Sequence, residues 1–115
     1  MVYQFERIGD VLKISLEGRM VASKSEDFRE AALLRLSECP NLLFDLSGMQ
    51  YIDFFGLGVL VHLLQKASAA GGTVKLACLQ PRPKIVFDIT RVYRVFKIFD
   101  SVEAGMASFN SGAAE

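Results

Sequence analysis

Nucleophiles, proton carriers and metal ligands are scarce in this sequence: one histidine, His62, and two cysteines, Cys39 and Cys78, far apart. A metal site needs several His, Cys or carboxylate ligands converging on one point, so no metal and no cofactor is expected. A Ser-His-Asp or Cys-His nucleophile would have to use His62. That residue ends the apolar run Leu57-Gly-Val-Leu-Val-His62, and no Gly-x-Ser-x-Gly elbow accompanies it. His62 is read as a structural histidine. Asp45 and Asp53 stand eight residues apart and would serve as a carboxylate pair only if the chain brought them together; each also has a sufficient structural role. Gly56-x-Gly58 is half a dinucleotide fingerprint, lacking the third glycine and any phosphate-binding lysine. Its plainer reading is close approach of a helix to a sheet. No active site assembles, no catalytic residue is assigned, and a non-enzymatic protein is expected.

The elements that must position these groups belong to one domain. The chain has 115 residues, 51% apolar and 23% charged, the balance of a compact fold that buries one core without disulfide or metal. Thirteen basic residues offset thirteen acidic ones, so no long-range attraction for nucleic acid or an anionic membrane is expected. The cysteines form no CxxC pair and read as reduced, small apolar side chains. No basic start followed by an apolar stretch opens the chain, and its apolar runs fall short of the ~20 residues that span a bilayer. A cytoplasmic protein without membrane insertion is the expectation, with a domain over 1–110 and a frayed tail over 111–115.

Tyr3 and Phe5 alternate with Gln4 and Glu6, and Leu12, Ile14 and Leu16 alternate across Val11 to Glu17. With a turn at Ile8-Gly9-Asp10 they predict an antiparallel hairpin. Ser23-Lys24-Ser25-Glu26 matches a capping box for a helix that turns Phe28, Ala31, Ala32 and Leu36 inward. Leu42 to Leu46 reads as a buried strand, Ser47 to Gln50 as a loop, and about Phe54 to Ala70 as a long helix stopped by Gly71-Gly72. Thr73 to Leu79 is the next strand. A short helix carrying Ile85, Val86 and Ile89, a last edge strand over Val95 to Phe99, and a final helix capped by Asp100-Ser101 complete the chain. The order is β-β-α-β-α-β-α-β-α: an α/β fold with a mixed, mostly parallel sheet of about five strands and about four helices. The polar alternation of Val11 to Glu17 suggests that all the helices lie on one face.

One stretch stands out. In Tyr51-Ile-Asp-Phe-Phe-Gly-Leu-Gly58, Asp53 is placed to cap the long helix, which puts Phe54 and Phe55 at its mouth. Helix mouths ordinarily favour small or polar residues and attract anions.

The segment Leu43 to Leu60 resembles the signature of the STAS family, which joins sulphate transporters and anti-sigma factor antagonists. The family pattern is an apolar strand ending in Asp-Leu-Ser, a loop, then Asp-Ser-Ser-Gly-Leu-Gly and a helix. Asp45, Leu46, Ser47, Gly48, Ile52, Asp53, Gly56, Leu57 and Gly58 match it. Leu16-Glu-Gly18 and Pro83 to Phe99 resemble the family's second strand and C-terminal elements, so the likeness covers nearly the whole chain.

The resemblance implies a stand-alone protein-binding module that captures an anti-sigma factor, often a serine kinase, and so frees a sigma factor for transcription. It also implies that the second serine of Asp-Ser-Ser-Gly is the kinase's target, where phosphate adds roughly −1.5 to −2 charges and breaks the complex. Here Phe54 and Phe55 fill both serine positions and Phe55 stands at the phosphoacceptor, which removes the hydroxyl. Gly18-Arg19-Met20-Val21 stands where the family often has Gly-Glu-Leu-Asp. The expected partner-binding residues are Arg19, Met20, Val21, Ser47, Asp53, Phe54, Phe55, Gly56 and Leu57, with the rings, Met20 and Val21 forming an exposed apolar patch. The alternative within the same fold is a scaffold or transport-complex subunit, or a homodimer formed through the phenylalanine pair. A nucleotide-binding protein is a third reading with little support in the residues.

Overall fold

The computed structural model describes residues 1–22 and 25–110. In chain order the elements are β1 (Val2–Ile8), β2 (Val11–Met20), α1 (Glu26–Leu36), β3 (Asn41–Ile52), α2 (Phe54–Ala69), β4 (Thr73–Ala77), α3 (Pro81–Thr90), a 3₁₀ turn (Val92–Arg94), β5 (Lys97–Phe99) and α4 (Val102–Asn110). The strands form one sheet in the order β1-β2-β3-β4-β5. β1 and β2 are the expected antiparallel hairpin, and every other neighbouring pair is parallel. The α/β fold and element order read from the sequence are those observed. The tail over 111–115 and the first two residues of the capping box, Ser23 and Lys24, lie outside the described residues.

The larger core lies between the sheet and α1, α2 and α3. Leu12, Ile14 and Leu16 of β2 meet Phe28, Leu60, Leu63 and Phe87 from the three helices, all fully or nearly fully buried. Tyr3, Phe5, Phe28 and Phe44 form a chain of ring contacts beneath α1. The expectation that every helix shares this face is overturned. On the opposite face, Val102, Met106 and Phe109 of α4 pack against Val11, Leu43 and Ala77. Gly105 lets the helix settle there, since a Cβ on it would lie 2.8 Å from Leu43 Cδ1. Lys75 is buried beneath α4. Its ammonium donates to Ser108 Oγ at 2.9 Å and lies 4.3 Å from the Phe109 ring centroid, so a cation–π contact and a hydrogen bond offset its desolvation.

Three further local expectations are corrected. Ser47 to Gln50 is strand rather than loop. β2 is ten residues long, and its register against β3 slips between Ser15 and Glu17 and between Gly18 and Arg19. Those irregularities keep β3 paired as far as Ile52, burying Met49 and Ile52. Ser25 is the N-cap of α1, but its hydroxyl donates to the Val21 carbonyl at 2.6 Å instead of capping the helix. α3 turns Pro83 and Phe87 inward and leaves Ile85 and Ile89 outside. Its bulkiest side chain, Phe87, sets the rotation by packing edge-on to Phe96.

Candidate protein-docking site

α2 is built to approach the sheet. Leu57, Leu60, Leu63 and Ala67 recur on one face and are buried. At its mouth, Asp53 Oδ1 accepts a hydrogen bond from the Gly56 N–H at 2.8 Å, the expected N-cap. Oδ2 accepts from the Ala22 N–H at 3.2 Å, and the Asp53 N–H donates to the Met20 carbonyl, also at 3.2 Å. One residue thus joins the first turn of α2 to the segment leaving β2. Gly56 makes this junction feasible: a Cβ there would fall 2.3 Å from the Met20 carbonyl oxygen. Gly58 has no such duty, since a Cβ on it meets nothing within 4 Å. The reading that both glycines serve close packing holds for Gly56 alone.

This arrangement leaves both rings outside, Phe54 at 68% exposure and Phe55 at 44%. The Asp53 carboxylate occupies the anion-favouring helix end, so the mouth is filled from within while the rings point outward. A groove of about 470 Å³ between α1 and α2 is lined by both rings together with Val59, His62, Glu26 and Arg29. Glu26 and Arg29 are joined as an ion pair. On the other side of Phe54, a second groove of about 490 Å³ runs towards Thr90 and Val92. Phe54, Gly58 and His62, spaced one turn apart, line both grooves. Gly58 is the gap that lets the two hollows open around the Phe54 ring.

The nine residues expected to bind a partner separate into distinct groups. Phe54 and Phe55 form the exposed surface, Val21 is half-buried, and Asp53 is a tie. Met20, Gly56 and Leu57 are buried and form the floor, so Met20 does not extend the exposed patch as expected. Arg19 is elsewhere, its guanidinium 5.2 Å from the Tyr51 ring centroid in a hollow with Gln50 and Arg82. Ser47 is also elsewhere, exposed on β3. Asp45 and Asp53 do not act as a pair: Asp45 accepts from the Ser47 N–H while Asp53 serves the mouth of α2. Among the described residues no cluster of three metal-ligating side chains occurs, and no helix is long and apolar enough to cross a membrane.

Sequence reasoning missed a crevice of about 620 Å³ at the carboxyl ends of β4 and β5, beside Ser47 in the middle of β3, with Cys78, Phe87, Tyr93 and Asp100 among its other lining residues. Cys78 sits there in a left-handed backbone conformation, φ 62°. Burial, then the Asp45 carboxylate, push its thiol pKa above the ordinary value. No motif announces this site. Its walls come from β3, the segment after β4, α3, the 3₁₀ turn and β5, which are far apart in the sequence.

A model of the STAS domain matches residues 3–105. The chain belongs to the STAS family. Among curated proteins, a provisionally named anti-sigma factor antagonist of Thermotoga neapolitana is 35% identical over 65 residues, which are 56% of this chain and 58% of that protein. The match therefore spans little more than half the length of that relative. Among solved structures, a provisional anti-sigma factor antagonist from Thermotoga maritima superposes with a TM-score of 0.86 at 22% identity, covering 92% of both chains. The anti-sigma factor antagonist SpoIIAA in its unphosphorylated form gives a TM-score of 0.75 at 16% identity, over 96% of this chain and 99% of that one. These two likenesses show a shared STAS fold. Within that fold, the segment Leu43 to Leu60 runs along β3, through the Asp53 cap and into the first turns of α2.

Proposed function

We propose that this STAS domain is an anti-sigma factor antagonist, a cytoplasmic binding module rather than an enzyme, that regulates transcription by capturing a serine-kinase-type anti-sigma factor. The exposed Phe54–Phe55 pair on the rigid mouth of α2 carries the reading. Burying one phenylalanine against a partner contributes about 1.5–3 kcal/mol before ordering costs, so two on a fixed support make a hot spot. Support for the partner class comes from the curated relative's name and from the match at Asp53, Gly56 and Leu57. With Phe55 at the phosphoacceptor position, binding is not released by phosphorylation at that site.

The test is calorimetry against each kinase-type anti-sigma factor encoded in the same genome, with and without ATP. The expected result is a complex that persists with ATP and is weakened about 10–100-fold by Phe55→Asp. Phe55→Ser should restore a phosphoacceptor and make the complex ATP-sensitive. Absence of binding to every such kinase would overturn the proposal. A dimer in light scattering that Phe55→Asp disperses would assign the pair to self-association instead.

A further inference from the structure

The crevice beside Cys78 opens where the chain leaves the sheet in two opposite directions. β4 leads through 78–80 into α3 on the face of the larger core, whereas β5 leads through 100–101 into α4 on the other face. Neighbouring parallel strands whose connections diverge in this way leave a hollow at their carboxyl ends, the usual ligand position in an open α/β sheet. The floor is tied down. The Cys78 N–H donates to the Phe99 carbonyl at 2.9 Å, and the Gln80 side-chain amide donates to the Cys78 carbonyl at 2.8 Å. A volume of about 620 Å³ suits a small molecule, and Leu79, Phe87, Tyr93, Ile98 and Phe99 give it an apolar wall.

The charged lining consists of Lys84, Asp88 and Asp100. Lys84 and Asp88 neutralise each other as an ion pair at 2.9 Å, so Asp100 sets the sign. After burial, the carboxylates of Asp45, Glu103 and Asp100 all raise the Cys78 pKa, which places two further negative charges beside the floor. Arg82 lines a neighbouring hollow that shares Ser47 and Gln80 but neither Tyr93 nor Asp100. Arg91, Arg94 and Lys97 do not line the crevice. Lys75 lies 6.0 Å from the Phe99 ring centroid, but it is buried and bonded to Ser108 on the α4 side.

We propose that this crevice binds a small organic cation, an ammonium group carried on an aromatic or similarly apolar body. The body fills the space against Phe87, Ile98 and Phe99, the ammonium meets the Asp100 carboxylate, and the Tyr93 ring adds a cation–π contact. An anion such as a nucleotide fits poorly. It would face Asp100 with only a lysine that is already paired, and α3 opens with Pro81 and Pro83, which lack two of the N–H groups that a helix end offers to phosphate. The inference goes beyond the anti-sigma reading and does not rest on it.

The experiment is an NMR titration of the ¹⁵N-labelled protein with phenethylamine, tryptamine and benzyltrimethylammonium, with 3-phenylpropanoate and ATP as comparison arms. Saturable shifts in 78–80, 93 and 98–100 are expected for at least one cation, with a dissociation constant of about 1 mM or below. The two anions should leave those residues unshifted. Asp100→Asn should weaken cation binding about 5-fold or more, and Tyr93→Ala several-fold. Leu34→Ser, at an exposed leucine of α1, should bind as the parent does. All three substituted residues are exposed, and an unchanged thermal transition verifies the fold of each variant. The proposal is overturned if none of the cations gives saturable shifts there, or if their shifts centre elsewhere. Equal binding of 3-phenylpropanoate, ATP binding in the crevice, or full cation binding by Asp100→Asn would each overturn it as well. The anti-sigma proposal is tested at Phe55, so either reading can fail while the other stands.

Discussion

α2 and α3 lie side by side on the same face of the sheet, and each exposes two large apolar residues, yet they are held in different ways. α2 buries Leu57, Leu60, Leu63 and Ala67 along its length, and the Asp53 carboxylate pins its mouth. α3 is anchored by Pro83 and Phe87, and its N-cap, Gln80, makes no side-chain capping bond. Exposed rings on α2 therefore stand on a rigid floor, the pre-organised support that binding rewards. Exposed isoleucines on α3 stand on a helix anchored by Pro83 and Phe87, with Val86 half-buried against the core. The difference teaches that exposure alone does not define a docking residue; what lies beneath it decides how much ordering a partner must impose.

Substitutions can break or sharpen that contrast. The largest effect belongs to Phe87→Ala, which removes the buried anchor of α3 and should cost about 3–5 kcal/mol in urea unfolding. Amide exchange should then rise in α3 while α2 stays protected; equal loosening of both helices would break the comparison. Gly56→Ala comes next, at about 1–3 kcal/mol, because the added methyl meets the fixed Met20 carbonyl. The same change at Gly58 should have the opposite sign. Nothing stands near that position, and removing a mid-helix glycine should stabilise by about 0.5–1 kcal/mol. Gly58→Ala nevertheless narrows the gap between the grooves, so a loss of partner affinity despite higher stability would locate binding there.

The smallest effect is at Cys78. Burial and the nearby Asp45 carboxylate raise its pKa, so the fold favours the thiol over the thiolate. Iodoacetamide at about pH 8 should label it more slowly than it labels an unfolded control. The linked stability is fully present below the unfolded thiol's pKa and fades as pH rises through the folded value. Faster labelling of the folded protein would contradict this.

Much of the molecule was legible in its residues. Period-two alternation identified the hairpin, apolar spacing identified α2, and Asp53 announced the cap that the structure contains. The motif also located Phe54 and Phe55 at the first turn. Less legible were the neighbours. Arg19 and Met20 are adjacent in the chain, yet one stacks on Tyr51 and the other is buried under α2. Ser47 belongs to the same motif as Asp53 but opens onto a different crevice. In α3, the sequence singled out Ile85, Val86 and Ile89; of these only Val86 packs against the core, and Phe87, which the pattern did not single out, is the fully buried side chain.

By itself the sequence determined the order of the elements, the family, and the adjacent aromatic pair Phe54 and Phe55, because each is a matter of local spacing or residue identity. Tertiary structure alone decided that α4 covers the second face and that Met20 is floor rather than rim. The physical reason is that a repeat pattern shows which side of a segment avoids water but not which segment covers it. That choice depends on strand register and on competition between bulky side chains for the same core volume.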